Sequence, residues 1–76
     1  MKITDAAAFG KAVRERRKQL GYTQGYLAEF TGLSISFISD LERGKATAEL
    51  GKSIELIQLL GMDLIVKGRG EKECEG

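Results

Sequence analysis

The sequence predicts an all-α domain of four helices, finished by one short β-strand. Three observations carry that prediction. Apolar residues recur at helical spacing through most of the 76 residues. Gly21, Gly32, Gly44 and Gly61 each follow an apolar run, where a helix end is expected. The period then changes over Met62-Asp63-Leu64-Ile65-Val66-Lys67, which is β-branched, apolar and alternating.

Residues 1 to 3 are a lead-in. Thr4 is the expected N-cap of a first helix from about Asp5 to Leu20, and Asp5 suits its positive end. Ala6, Phe9, Val13 and Leu20 share one face, with Lys11, Arg14, Glu15 and Lys18 mostly outside it. Arg17 sits at the edge of that face, where a charge either snorkels to water or meets a buried partner. Thr23 caps a second helix, about Gln24 to Thr31, with Leu27, Ala28 and Phe30 inward. Gly25 in its first turn costs up to about 1 kcal/mol relative to Ala.

Ser34 caps a third helix, about Ile35 to Arg43. Steps of about 100° per residue put Phe37, Ile38 and Leu41 on one side, with Glu42 at its edge. Ile35, Ser36, Ser39, Asp40 and Arg43 share the other side. That side has few long side chains, so a flat surface could come close to it. Thr47 caps a fourth helix, about Ala48 to Leu60, whose inner stripe is Leu50, Ile54, Ile57 and Leu60. Leu56 and Leu59 fall outside that stripe. Either the core stripe is wider, or these residues meet a partner.

Seventy-six residues make one domain at most, with a modest core. One cysteine, Cys74, cannot form an internal disulfide, and no histidine is present for an ordinary zinc site. Cys74 is read as inert, with chance crosslinking as the alternative. Oligomerisation is the remaining aid to stability. No apolar run approaches the roughly 18 residues that would span a membrane, and no secretory pattern opens the chain, so the cytoplasm is the expected location. No cofactor is expected.

The net charge is only +1. Its distribution says more. Residues 11–45 carry Lys11, Arg14, Arg16, Arg17, Lys18, Arg43 and Lys45 against Glu15, Glu29, Asp40 and Glu42. A locally basic face of this kind either attracts phosphates or is a solvated helix surface.

The twenty residues Gln24 to Arg43 read QGYLAEFTGLSISFISDLER. Ala28 is small enough for two helices to cross closely, and Gly32 suits a turn that needs positive φ. Leu33, Ile38 and Leu41 supply apolar anchors. This is the layout of a helix-turn-helix, whose second helix enters the DNA major groove. Leu20-Gly21-Tyr22-Thr23-Gln24, Leu27-Ala28, Gly32-Leu33-Ser34, Phe37-Ile38-Ser39 and Leu41-Glu42-Arg43-Gly44-Lys45 together resemble the lambda-repressor-like, or XRE-type, helix-turn-helix family. The resemblance covers residues 9–61 and is nearest the HipB-like antitoxin and regulator branch.

The resemblance implies a four-helix DNA-binding domain over residues 1–67, including a dimerisation strand at 62–67, and the lack of any apolar pattern in residues 68–76 predicts a flexible tail there. It implies base contacts by Ile35, Ser36, Ser39 and Asp40, a phosphate clamp at Thr23 and Gln24, and backbone contacts near Ser34, Arg43 and Lys45. Asp40 could accept from a cytosine amino group, yet phosphates repel it. The family matches Arg17 and Glu42 with a partly buried ion pair.

The implied activity is sequence-specific transcriptional regulation, by a repressor that binds a palindromic operator as a homodimer on double-stranded DNA. The alternative is an antitoxin that neutralises a HipA-like kinase toxin and autoregulates its operon. An enzyme is disfavoured, without histidine, usable cysteine or a Walker-type phosphate loop. A structural module that lost DNA binding rests on Asp40 alone. A lone strand leaves its backbone unpaired, so an antiparallel copy across a two-fold axis is expected. Leu56, Leu59, Met62, Leu64, Ile65 and Val66 are the expected dimerisation residues.

Overall fold

The computed structural model describes residues 2–70 and 73–75. Four helices follow in order: α1 (Ala6–Gln19), α2 (Gln24–Thr31), α3 (Ile35–Glu42) and α4 (Leu50–Leu59). Two short strands, β1 (Ile65–Lys67) and β2 (Glu73–Glu75), complete the described chain.

The caps explain where the helices start. Thr23 Oγ1 accepts from Tyr26 N at 3.0 Å, and Ser34 Oγ accepts from Phe37 N at 3.0 Å. Each satisfies an N–H that no preceding carbonyl can reach. Two other caps differ from expectation. Asp5, not Thr4, caps α1, its Oδ1 accepting from Ala8 N at 2.8 Å. Glu49, not Thr47, caps α4 by accepting from Gly51 N and Lys52 N, both at 2.9 Å. Thr47 is left in the turn before the helix. Between α2 and α3 the chain reverses at Gly32, whose φ of 79° is costly for any residue with a Cβ.

The core joins all four helices. Val13, Leu27, Ile38, Leu41, Leu56, Ile57 and Leu60 are buried, and Phe9, Tyr22, Ala28, Leu33, Phe37, Ala48 and Met62 pack around them. On α4 the inner stripe is Ser53, Leu56, Ile57 and, just past the helix, Leu60. This corrects two expectations. Leu56 is fully buried in its own domain and has no surface to offer a partner. Leu50, the first residue of α4, is 68 % exposed and adds little to the core. Leu20 and Phe30 are also exposed. Leu20 lies past the last turn of α1, and Phe30 stacks on Tyr26 one turn back instead of entering the core.

α1 and α3 cross at Gly10, a buried residue in the middle of α1. A Cβ there would fall on the Leu41 carbonyl oxygen and within 2.9 Å of the Glu42 carbonyl group. The crossing is backbone against helix, with no room for a side chain.

The C-terminal segment departs most from expectation. The strand begins at Ile65, not at Met62, since Met62 is held against the core with its N–H bonded to the Ile57 carbonyl at 2.9 Å. A second strand does exist, which corrects the expectation of a lone strand. β2 pairs antiparallel with β1, setting Ile65 opposite Glu75, Val66 opposite Cys74 and Lys67 opposite Glu73. The expectation for residues 71, 72 and 76 lies outside the described residues. Among the described residues no helix is long and apolar enough to cross a membrane, and no group of His, Cys, Asp or Glu is placed to hold a metal ion.

Candidate nucleic-acid interface

The candidate surface is built on the N-terminal ends of α2 and α3. Cap residues and core residues alternate there, and that alternation orients the rest. Leu27 anchors α2, and Ile38 and Leu41 anchor α3, all fully or nearly fully buried. Ile35 and Ser36 are thereby left exposed on the first turn of α3, with Ser39 and Asp40 half-buried one turn on. Thr23, Arg43 and Lys45 are exposed around them, and Gln24 is half-buried. The structure thus gathers every candidate DNA-contact residue along these two helices and their flanking turns.

Beneath this surface lies a buried ion pair. Arg17 of α1 donates from Nε to Glu42 Oε2 at 2.7 Å and from Nη2 to Glu42 Oε1 at 2.9 Å. Its third direction is used as well: Nη1 donates to the Tyr22 carbonyl at 2.8 Å. Two parallel charge-assisted bonds fix the relative placement of α1 and α3. The bond to Glu42 raises the Arg17 pKa, against the opposing effect of burial.

The pair extends to the surface through Gln24. Its Nε2 donates to Glu42 Oε1 at 3.1 Å. One amide N–H is therefore engaged inside the protein, which leaves the side-chain oxygen, the second N–H and the backbone N–H groups of Gln24 and Gly25 for other contacts, Tyr26 N being held by the Thr23 cap. Sequence reasoning did not find this link, since it depends on residues eighteen positions apart.

At the far end of α3 the charges pair among themselves. Asp40 Oδ1 accepts from Arg43 Nη2 at 2.8 Å, and Oδ2 lies 3.6 Å from Lys45 Nζ. The Arg43 hydrogen bond first, and the two positive charges with it, hold the Asp40 carboxyl below the usual carboxylate range.

Three further features escaped the sequence reading. Gly10 shows in the sequence only as a glycine inside a helical pattern, a general signal of packing or function. Arg16 Nε donates to the Leu60 carbonyl at 2.8 Å, tying the end of α4 to α1. Tyr26 and Phe30 stack on the outside of α2 with ring centroids 6.3 Å apart, and Tyr22, half-buried just before the helix, lies 5.0 Å from Tyr26. Their spacing of four residues was the available signal.

Comparison with known proteins gives consistent matches. A helix-turn-helix family model matches residues 13–66. An uncharacterized HTH-type transcriptional regulator, y4mF of Sinorhizobium fredii, is 38 % identical over 71 residues, covering 93 % of each chain. An HTH-type transcriptional regulatory protein of Saccharolobus solfataricus is 36 % identical over 53 residues, which are 70 % of this chain but 17 % of that longer protein. Among solved structures, HipB in a complex described as HipB-O4 20mer superposes with a TM-score of 0.80 at 25 % identity, covering 90 % of this chain and 96 % of that one. A chain of a HipA-HipB-O2-O3 complex gives the same values. With a matched region spanning most of its four helices, the chain belongs to the XRE-type helix-turn-helix family, whose members are DNA-binding transcriptional regulators and not enzymes.

Proposed function

We propose that this chain is a cytoplasmic, sequence-specific repressor that binds a palindromic operator as a dimer. One observation carries the reading: the first turn of α3, directly after the Ser34 cap, leaves Ile35 and Ser36 exposed while Ile38 and Leu41 hold the opposite side of the helix in the core. A hydroxyl can donate or accept at a base edge, and Ile35 suits a thymine methyl. The backbone N–H groups at the start of α2 suit a phosphate, with Gln24 oriented by Glu42 beside them. A gel shift against the DNA just upstream of its own gene tests the reading.

Two substitutions separate the roles. Ser36→Ala is expected to weaken the cognate duplex by about 1–3 kcal/mol and random DNA hardly at all. Gln24→Ala is expected to weaken both about equally, because phosphate contacts carry no sequence information. Equal losses on both duplexes for Ser36→Ala would remove that residue from base reading.

The dimer rests on the surface beside β1. Leu59, Leu64, Ile65 and Val66 are all exposed, at the end of α4 and on the segment that leads into β1. β2 occupies one edge of β1, and the other edge has no pairing among the described residues. An antiparallel copy there would bury the apolar group and set two recognition helices against half-sites about 34 Å apart. Ile65→Pro is expected to lower affinity for the full palindrome while a single half-site is bound about as before. Wild-type protein that sediments as a monomer at micromolar concentration would overturn the dimer.

The likeness to HipB within a HipA-HipB complex favours a second reading. In it the chain is an antitoxin that neutralises a HipA-like toxin and autoregulates its operon. A toxin gene beside this one would favour that reading over the stand-alone repressor.

A further inference from the structure

Asp40 stands where a DNA-reading helix gains least from a negative charge. It lies on the same side of α3 as Ile35, Ser36 and Ser39, one turn from the helix start. Its carboxylate is occupied at both oxygens, by Arg43 Nη2 at 2.8 Å and by Lys45 Nζ at 3.6 Å. The backbone holds the second partner in place, since Lys45 N donates to the Asp40 carbonyl at 3.0 Å. Both cations at this end of α3 are thus drawn to one carboxylate and away from the phosphates that would flank the helix.

We infer that Asp40 is a specificity determinant that works by exclusion, an internal counterion that withholds Arg43 and Lys45 from DNA of the wrong sequence. The inference rests on the reading that this face meets DNA. On random sequence, Asp40 cancels one positive charge and repels the backbone, so non-specific attraction is reduced. On a site that places a cytosine amino group opposite it, the carboxylate accepts that donor, and Arg43 and Lys45 become free for phosphates. On that site all three side chains gain new partners, whereas on random DNA releasing the two cations leaves the Asp40 carboxylate unpaired beside the phosphates.

The test compares wild type and Asp40→Asn on two duplexes across a salt series. One duplex is of scrambled sequence, and the other is recovered by wild-type selection from a random pool. Asp40→Asn should bind the scrambled duplex about tenfold more tightly at 50 mM salt, with log K falling more steeply against log salt by about one unit per cation released. The selected duplex should gain less or lose affinity, so the ratio between the two falls. Adding Arg43→Ala to Asp40→Asn should cancel most of the gain on scrambled DNA. Asp40 is on the surface, and an unchanged melting temperature shows that the fold is kept. Unchanged affinity and salt slope on scrambled DNA would overturn the inference while leaving DNA binding intact. A wild-type protein that selects no duplex and shows no salt-dependent binding would overturn the DNA reading itself, and this inference with it.

Discussion

Glu42→Ala is expected to lower stability by about 3–5 kcal/mol, because it strands the Arg17 guanidinium in the contact between α1 and α3. A domain of this length is stable by only about 4–11 kcal/mol, so the loss is a large share of the whole. The melting temperature should fall by on the order of 20 °C. Arg17→Ala should cost a similar amount. It leaves the Glu42 carboxylate buried with Gln24 Nε2 as its remaining hydrogen-bond donor, and it frees the Tyr22 carbonyl from its side-chain partner. The two losses should not add, since each removes the same two hydrogen bonds. A double change to Met and Leu should recover much of either loss, because apolar replacement of a buried pair removes the desolvation cost with the charges. Urea titration of the four proteins decides the matter. Single variants within about 0.5 kcal/mol of wild type would show that the pair contributes nothing to the fold, a value typical of surface substitutions.

Gly10→Val should be at least as damaging. Even the first carbon of the side chain would sit on the Leu41 carbonyl oxygen, with the Glu42 carbonyl beside it. Those atoms are helix backbone and cannot rotate away. The only response is separation of α1 from α3, which opens the core around Val13 and Leu41 and stretches both bonds of the Arg17–Glu42 pair. Overpacking typically costs about 1–3 kcal/mol where side chains can yield, and more is expected where only backbone can. Gly10→Ala should be intermediate. In an exposed helix the same change would be favourable by up to about 1 kcal/mol, so the sign of the measured effect isolates the crossing from helix propensity. A Gly10→Ala protein more stable than wild type, by thermal or chemical unfolding, would mean that the two helices lie further apart than the structure places them.

The features legible in the chain are the local ones. α2 and α3 run from Gln24 to Thr31 and from Ile35 to Glu42, between caps at Thr23 and Ser34 and a left-handed Gly32. Capping is decided within three residues, and a turn within four, so the sequence alone determines them. The burial of Ile38 and Leu41 follows the same logic, because periodicity names the inward face of a helix whatever it packs on. The helix-turn-helix family was legible for that reason.

What the tertiary structure alone decided depends on which surfaces meet. Leu56 and Leu50 are equally apolar. One is fully buried and the other exposed, a difference that the periodicity of α4 does not encode. Gln24 lost an amide N–H to Glu42 because α2 and α3 close over the pair from Arg17, an arrangement that no local spacing encodes. β1 found its partner in Glu73–Glu75, a segment with no apolar alternation of its own, since a strand edge is satisfied by backbone groups and backbone groups are the same in every residue. The sequence by itself determined the four helices, the caps of α2 and α3 and the face of α3 that turns outward. Only the packing of those helices determined which charges are paired beneath that face, and so which remain to meet a partner.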